Sequence, residues 1–449
     1  MLASPSVFKL LKFAGPLLLA VWSLSYFFSY EAAYHGVVRT FKDEEKLFIA
    51  DFLEHEIDGK LDGIGISELC ASKRWTPGLM LSCEPVPGGI SQVKNAHLNC
   101  IRFAMEMGAA LITPRIVKRH EKDITIIAPP VGGGPQRGEP LDYLFDFDHM
   151  NQTLSKYCPQ MKIYKSLDDL YDVPAVHKAH PISLQAVGAH LINGSVIEST
   201  SILGEQIKNF TEKAVPKEKW TTPIRFHLPI TNWAFRTANE TESFAQSFGR
   251  ILRPREDARR LSAAVLFSLH KEFGLNLDPR KGVKADSYVG IHLRTEPDAG
   301  NLFPTYENQA AYLLDYATIS KVPVAFVATG ASEQNITSFA ARAKDFNVTV
   351  VLKKNLLRDQ ELDLFNTLTF DQRALVDYEI MLRAGLVAGP SESSFAWNLA
   401  LRRKGISKAP TALNTTAVYP NSHVHYHDSL STIFGRSEKG MVFKETIWP

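Results

Sequence analysis

Strand-like apolar runs alternate with helical patterns from residue 288 onwards in this 449-residue chain. Each run is short, and in the stretch that follows it the apolar residues recur every three or four positions. The alternation predicts strands at 288–293, 322–328, 348–352 and 385–388, and helices at 306–320, 332–344, 370–384 and 393–403. Strands that alternate with helices build βαβ units, so the pattern predicts an α/β fold with a parallel, Rossmann-like sheet.

A similar unit is predicted near residue 79. The apolar run Leu79–Ser82 ends in a breaker loop that contains Gly88 and Gly89. A helical pattern from Ser91 then leads to a second strand at 110–114. A glycine loop between a strand and a helix exposes backbone N–H groups, which suits an anion, although an ordinary turn gives the same pattern.

Length and composition permit two domains. With 45% hydrophobic and 22% charged residues, a chain of this length can bury two cores. We therefore predict two Rossmann-like domains, at 76–250 and 251–449, with a cleft between them. The formal net charge of +2 is close to balance, and no clustered basic stripe predicts a nucleic-acid partner.

The N-terminal residues predict a membrane anchor. Residues 13–30 carry no charge and are close to the lower limit of about 17 residues for a helix that spans a bilayer. Lys9 and Lys12 precede this run, which predicts a cytosolic tail at 1–12 and a lumenal body that begins with a stem at 31–75. The alternative is a cleaved signal peptide, because a proline interrupts the run.

Sequons and cysteines agree with a secretory location. Seven asparagines after the apolar run begin an Asn-x-Ser/Thr sequon: Asn151, Asn193, Asn209, Asn239, Asn335, Asn347 and Asn414. The four cysteines are Cys70, Cys83, Cys100 and Cys158. They permit two disulfides in any of three connectivities, and the absence of a Cys-x-x-Cys pair in the sequence argues against a structural zinc site.

The strand that opens the second domain ends in charged residues. His292 and Arg294 follow its apolar positions, and Glu296 to Asp298 stop it. Ligands of open α/β sheets bind at the carboxyl ends of strands, so both side chains are expected to face a ligand. A guanidinium group grips a phosphate with two parallel hydrogen bonds, which predicts a phosphate contact at Arg294. The alternative is an arginine in a surface ion pair.

Three ordered motifs resemble one family. His292-Leu293-Arg294 with Asp298 resembles the signature of the GDP-fucose protein O-fucosyltransferase family, in which the arginine binds the β-phosphate of the donor. Residues 88–92 are similar to the donor-pocket segment of the family, with serine at position 91 in place of the usual asparagine. Residues 377–403 resemble the part of the family that binds GDP.

The resemblance implies a fold, a reaction and a set of site residues. It implies a GT-B glycosyltransferase that needs no metal or organic cofactor. The enzyme would transfer fucose with inversion from GDP-fucose to a hydroxyl group of a protein. Arg294 would be catalytic, and the donor would be bound by Gly88, Gly89, Ser91, His292, Arg294, Asp377, Ser393, Ser394 and Phe395. We expect a single-pass type II protein of the Golgi or endoplasmic reticulum membrane.

Two points stay open at this stage. One branch of the family uses a glutamate of the glycine loop as the general base, but this chain has Gly88 there. Glu84 or Glu296 could replace it, or the reaction could need no base. The alternative functions are a transferase for another GDP sugar and a catalytically silent lumenal protein that binds a nucleotide sugar.

Two patterns suggest a metal, and we expect none at either. Asp146 and Asp148 form an Asp-x-Asp pair, which in another glycosyltransferase class holds Mn²⁺ or Mg²⁺ against the donor diphosphate. The same segment also resembles a structural part of the O-fucosyltransferase N-terminal domain. The alternating His423, His425 and His427 would share one face of a strand, but the sequence identifies no fourth ligand.

Overall fold

The computed structural model describes residues 42–121, 124–127, 138–198, 200–214, 222–229, 233–406, 424–435 and 441–449. The predicted tail and anchor at 1–12 and 13–30, the sequon at Asn414 and the histidine at His423 lie outside these residues. Within them, every helix is too short or too polar to cross a bilayer. The chain divides into two units, Met1–Asp51 and Phe52–Pro449, and the fold described below is that of the second unit.

Strands and helices alternate along most of the second unit. The strands are β1 (Leu79–Cys83), β2 (Ala110–Ile112), β3 (Ile163–Tyr164), β4 (Ala179–Pro181), β5 (Leu191–Ile192), β6 (Val196–Ile197), β7 (Ile224–Leu228), β8 (Ala234–Phe235), β9 (Val289–His292), β10 (Val324–Ala328), β11 (Thr349–Val351), β12 (Leu386–Pro390), β13 (Val424–His427) and β14 (Ser431–Phe434).

The helices lie before, between and after these strands. They are α1 (42–54, of which 52–54 belong to the second unit), α2 (Ile64–Ser72), α3 (Ile90–Met107), α4 (Phe147–Tyr157), α5 (Pro174–His177), α6 (Leu184–Val187), α7 (Thr200–Ala214), α8 (Glu242–Gly249), α9 (Glu256–Glu272), α10 (Tyr306–Ser320), α11 (Glu333–Lys344), α12 (Lys353–Leu356), α13 (Asp359–Thr367), α14 (Phe370–Leu382), α15 (Ser394–Lys404) and α16 (Met441–Thr446).

Two parallel sheets organise the described residues. The first has the order β3-β2-β1-β7-β4, and every neighbouring pair in it is parallel. The second has the order β11-β10-β9-β12-β14-β13, and only its last pair is antiparallel. A small third sheet has the order β5-β6-β8. The predicted α/β fold with parallel sheets is therefore confirmed.

Local sequence explains where the main elements begin and end. All positions of β9, β10 and β12 are buried, as expected for parallel strands that helices cover on both faces. Helix α3 ends at Met107, and the left-handed φ of 59° at its C-cap Gly108 disfavours most other residues. Helix α14 begins with a capping box in which the side chains of Thr369 and Gln372 reach each other's backbone N–H groups.

The core of the second sheet lies between its strands and the helices α10 and α11. Its buried residues include Val289, Ile291, Leu313, Leu314, Ala325, Val327, Phe339 and Ala388. These positions come from the predicted apolar runs and from one face of the predicted helices. Burial of this apolar surface holds β9 and β12 side by side, and the loops after these two strands carry candidate site residues.

The structure selects one of the three disulfide connectivities. Cys70 in α2 is bonded to Cys158 after α4, and Cys83 at the end of β1 is bonded to Cys100 in α3. The first bond ties helix α2, which lies within the segment predicted as a stem, to the α/β body. The predicted domain boundaries stay predictions.

The last described residues pack against the first half of the unit. The ring centroids of Trp448 and Phe248 are 4.6 Å apart, and Trp448 Nε1 donates to Asn99 Oδ1 at 2.8 Å. The backbone N–H of Trp448 donates to Asn95 Oδ1 at 2.9 Å. Helix α3, which begins beside the glycine loop, is therefore held by residues from the far end of the described sequence.

Candidate active site

A cavity of about 690 Å³ is lined by residues that follow the carboxyl ends of β1, β9 and β12. The order of the second sheet reverses between β9 and β12, which is where parallel sheets bind ligands. All nine residues that the sequence predicted for donor binding line this cavity: Gly88, Gly89, Ser91, His292, Arg294, Asp377, Ser393, Ser394 and Phe395. Their contacts with a donor stay predictions.

Arg294 is held in a defined orientation. Its Nη1 donates to Glu296 Oε2 at 2.5 Å, and its Nη2 donates to Asp298 Oδ1 at 2.6 Å. The side chain of Gln309 binds both the backbone N–H and the backbone carbonyl of Arg294, at 2.9 and 2.7 Å. Burial acts against the charge, but the two carboxylates outweigh it and raise the pKa of Arg294. The guanidinium group is therefore fixed and permanently charged.

Each carboxylate oxygen of Glu296 accepts a hydrogen bond within the described structure. Its Oε2 accepts from Arg294, and its Oε1 accepts from the backbone N–H of Gly330 at 2.5 Å. Burial acts to raise its pKa, but the guanidinium of Arg294 outweighs this and keeps the pKa below its ordinary value. Glu296 is thus an ionised partner that orients Arg294.

His292 is buried and makes two hydrogen bonds within the protein. Its Nδ1 lies 3.3 Å from the carbonyl oxygen of Ala328, which only accepts, so this nitrogen carries the proton. Its Nε2 lies 3.0 Å from Ser393 Oγ and accepts the hydroxyl proton. Burial lowers the pKa of His292 to about 4. The neutral ring therefore orients Ser393, and it also packs against Phe395 with ring centroids 4.7 Å apart.

Ser393 is the N-cap residue of helix α15 and lines the cavity. Its Oγ accepts from the backbone N–H of Ala396 at 3.4 Å, which caps the helix. The first residues of α15, Ser394 and Phe395, also line the cavity. A helix N-terminus carries a partial positive charge, so this end of α15 favours an anionic group in the cavity.

Asp377 presents one oxygen without a partner. Lys353 Nζ donates to its Oδ2 at 2.5 Å, but its Oδ1 is buried and has no hydrogen-bond partner among the described residues. Burial raises the pKa of Asp377 to about 6, although Lys353 acts in the opposite direction. A buried unpaired carboxylate oxygen is costly, so this position suits a ligand that donates an N–H group.

The glycine loop between β1 and α3 also lines the cavity. Gly88 has a φ of 150°, and a Cβ there would collide with the side chain of Gln92. A Cβ at Gly89 would meet nothing within 4 Å among the described atoms. Gly89 lies directly before α3, so the backbone N–H groups of that helix adjoin the cavity.

The cavity contains charged residues that the sequence analysis did not identify. Its basic residues are Arg119, Arg294, Lys353, Lys354 and Arg373, and its acidic residues are Glu296, Asp298, Asp377 and Glu392. Of these, the sequence analysis had named only Arg294, Glu296, Asp298 and Asp377. Arg119 follows β2 as Arg294 follows β9, and this position after a strand was the available signal. Lys353 begins α12, a short helix after β11 that the sequence pattern did not predict.

The other candidate base lies away from this group. Glu84 is outside the described residues that line the cavity. Its Oε2 lies 3.0 Å from His227 Nε2, and nearly half of its side chain is exposed. The structure therefore separates the two glutamates that the sequence left as alternatives: Glu296 holds Arg294, and Glu84 pairs with a histidine of β7.

Asp146, the first residue of the Asp-x-Asp pair, has a structural role. Asp146 Oδ1 caps α4 by accepting from the backbone N–H of His149 at 2.9 Å, and its Oδ2 accepts from Arg253 at 2.7 Å. Neither Asp146 nor Asp148 belongs to the described residues that line the cavity. A carboxylate with both oxygens engaged is a poor metal ligand.

Two of the three alternating histidines are described. His425 Nε2 lies 3.2 Å from the carbonyl oxygen of Gly435, and His427 Nδ1 lies 2.9 Å from Thr432 Oγ1. Both contacts join β13 to β14 or to the residue that follows it. These two histidines therefore contribute to the sheet edge in the described structure.

A comparison with protein families agrees with the motifs. The family described as GDP-fucose protein O-fucosyltransferase matches residues 79–405. A crystal structure of POFUT1 in complex with GDP is 12% identical, covers 80% of this chain and 99% of its own chain, and has a TM-score of 0.45. A crystal structure of POFUT1 in complex with GDP-fucose gives the same four values: 12%, 80%, 99% and 0.45.

A mutant of Arabidopsis thaliana FUT1 in complex with GDP is 10% identical and covers 76% of this chain and 71% of its own, with a TM-score of 0.37. No match was found among curated proteins. The family match includes every residue predicted for the site, from the glycine loop to helix α15. Since this match extends over most of the sequence, the chain belongs to the GDP-fucose protein O-fucosyltransferase family.

Proposed function

We propose that this chain is an inverting glycosyltransferase that transfers fucose from GDP-fucose to a hydroxyl group of a protein acceptor. The observation that carries the proposal is the convergence of Arg294 and the N-terminus of α15 on one cavity, after two adjacent parallel strands. Both features favour a diphosphate, and membership of the family supports GDP-fucose as its source. The GT-B arrangement of the two sheets is part of the same proposal.

In the proposed reaction the acceptor oxygen forms a bond to C1 of fucose while the bond from C1 to the β-phosphate oxygen breaks. The electron pair of the broken bond stays on GDP, and the acceptor proton leaves to a base or to water. Arg294 stabilises the negative charge that develops on the β-phosphate, a role in which fixed charges act most strongly. Glu296 and Asp298 keep Arg294 in place.

We further propose that Asp377 binds the guanine base through its unpaired Oδ1. The ionised carboxylate is a stronger acceptor for an N–H group than the protonated one, so the bound nucleotide lowers the pKa of Asp377 from its value of about 6. The affinity for GDP-fucose should therefore fall as the pH falls below about 6, by up to about tenfold per pH unit. Calorimetric titrations with GDP-fucose between pH 5 and pH 8 test this. The sugar blocks the terminal phosphate, so that titration of a free phosphate does not add to the pH dependence.

Asp377→Asn supplies the control for the pH dependence. This variant keeps the shape of the side chain but has no titrating group, so it should bind GDP-fucose more weakly and equally at each pH. A pH dependence that persists in Asp377→Asn would remove this residue from guanine binding.

The reaction should need no metal ion. If Arg294 and the α15 N-terminus neutralise the diphosphate, turnover of GDP-fucose should persist in EDTA. Asp146→Ala should lower the free energy of unfolding by about 1 kcal/mol or more through loss of the α4 cap and leave kcat unchanged. Loss of turnover in EDTA, rescue by Mn²⁺ and an inactive Asp146→Ala protein would instead support the Asp-x-Asp pair as a metal site.

We propose that the body of the chain is lumenal and that residues 13–30 anchor it. The uncharged run and the preceding Lys9 and Lys12 support this orientation. In sealed microsomes, added protease should spare the chain after residue 31, and glycosidase treatment should lower its apparent mass by several glycans. Complete digestion of the body in sealed vesicles would contradict the proposal.

The central test measures GDP release by the full chain from GDP-fucose and from other GDP sugars, with and without a panel of secreted protein domains. We expect release from GDP-fucose that an acceptor domain accelerates. Turnover of a different GDP sugar alone would favour the first alternative function. Micromolar binding of GDP-fucose without transfer to any acceptor would favour a binding protein.

A further inference from the structure

Arg119 comes from the first half of the chain and contacts a cavity residue of the second half, Asp298. It belongs to the segment after β2, and its side chain is 9% exposed. All of its described hydrogen bonds reach the second half of the chain, from which Asp298, Phe370 and Asp371 surround it. We propose that Arg119 is a positioning residue for Arg294, acting through Asp298, and this inference rests on the proposed function.

Asp371 and Phe370 orient Arg119. Its Nε donates to the two carboxylate oxygens of Asp371 at 3.0 and 3.3 Å, and its Nη2 forms a third, shorter bond with the same group. The guanidinium carbon lies 5.4 Å from the centroid of the Phe370 ring, which covers one face of the planar group. These contacts direct the remaining edge of the guanidinium towards Asp298.

Asp298 is shared between two arginines. Its Oδ1 accepts from Arg294 Nη2 at 2.6 Å, and its Oδ2 accepts from Arg119 Nη1 at 3.1 Å. The other partner of Arg294, Glu296, is anchored by the backbone of Gly330. Each of the two carboxylates that hold Arg294 thus has its own anchor, and the anchor of Asp298 comes from the first half of the chain.

This arrangement predicts a specific kinetic role. A guanidinium group that stabilises charge in the transition state must be held to within a few tenths of an ångström, and a misplacement of about 1 Å can lower the rate about 100-fold. Without Arg119, Asp298 loses the donor to its Oδ2 and gains freedom to move with Arg294. Removal of Arg119 should therefore lower kcat. The affinity for GDP should change little, because the groups that bind the rest of the nucleotide keep their positions.

The test compares Arg119→Ala and Arg119→Lys in the full chain with the control Arg253→Ala. Arg253 also pairs with a carboxylate, Asp146, but neither residue belongs to the described residues of the cavity. We expect Arg119→Ala to lower kcat by about 10-fold to 100-fold and to change the Kd for GDP by less than about threefold. Arg119→Lys, which keeps the charge but cannot reach both carboxylates, should lower kcat to an intermediate extent.

A double-mutant cycle identifies the route of the effect. If Arg119 acts through Asp298, the pair Arg119→Ala with Asp298→Asn should have the same kcat as Asp298→Asn alone, within about twofold. A loss of GDP affinity in proportion to the loss of kcat/KM would mean that Arg119 binds the donor uniformly and would overturn the positioning role.

Hydrogen exchange provides a measurement that needs no turnover. In Arg119→Ala, amide exchange should accelerate in 294–302 and stay unchanged in Val324–Ala328, whereas Arg253→Ala should leave both segments unchanged. Unchanged exchange in 294–302 overturns the inference even if the chain is an active transferase. Accelerated exchange in a chain that never releases GDP from GDP-fucose supports the link and rejects the proposed function instead.

Discussion

Arg294→Lys should lower kcat by on the order of 100-fold or more, while the affinity for GDP changes much less. In the ground state the β-phosphate shares its charge with the sugar, and in the transition state it becomes a leaving group with more negative charge. The interaction with a fixed cation therefore strengthens as the bond breaks. Lysine keeps the charge but cannot bind Glu296 and Asp298 as a fork and also face the phosphate.

The matched control is Arg253→Lys, which alters another arginine–carboxylate pair in the same body. Arg294→Ala should be less active than Arg294→Lys, because it removes both charge and fork and leaves two carboxylates beside the diphosphate. GDP release in single turnovers, scaled to the folded fraction from circular dichroism, measures the effect. A well-folded Arg294→Ala protein with near wild-type kcat would remove this residue from the mechanism and with it the main support for a transferase.

Replacing Cys70 and Cys158 with alanine should lower the free energy of unfolding by about 4–5 kcal/mol. The two cysteines are 88 residues apart, whereas Cys83 and Cys100 are 17 apart. In the chain-entropy account a disulfide restricts the unfolded chain more when it closes a longer loop, and the shorter bond is worth about 3 kcal/mol. Both sulfurs of the longer bond are fully buried, so the change also removes packed volume.

Urea unfolding under non-reducing conditions measures both double variants with the other disulfide intact. The pair Cys83→Ala with Cys100→Ala is the matched control, since it removes the same number of sulfurs. A larger loss of stability from this control than from the Cys70 and Cys158 pair would contradict the loop-length argument. Equal stability of the wild type and the Cys70 and Cys158 variant would show that the bond constrains nothing in the unfolded chain.

Much of the site was predictable because its residues follow strands that periodicity identifies. The apolar run before His292 and the short strand before Ser393 set both residues at the carboxyl edge of one parallel sheet. The glycine loop before α3 was found in the same way. All nine predicted residues therefore line one cavity, although they lie up to several hundred positions apart.

Other features depended on contacts between distant segments. Glu296 has the same local sequence whether it serves as a base or as a partner of Arg294, and only the position of Gly330 shows that both oxygens are engaged. Asp146 matches a metal motif equally well as a helix cap, and its hydrogen bonds to His149 and Arg253 appear only in the folded chain. Strands of two or three residues, such as β3 and β4, are too short for a periodic pattern.

The sequence by itself determined the α/β class, the main strands and helices of the second sheet, and the placement of Arg294 and Ser393 at strand ends. These follow from local periodicity, capping and turn chemistry, which act over a few neighbouring residues. Only the tertiary structure decided the disulfide pairing, the ion pairs of Arg294 and the position of Arg119 beside Asp298. These depend on which distant side chains share a buried volume, and chain folding brings such residues together without leaving a local pattern in the sequence.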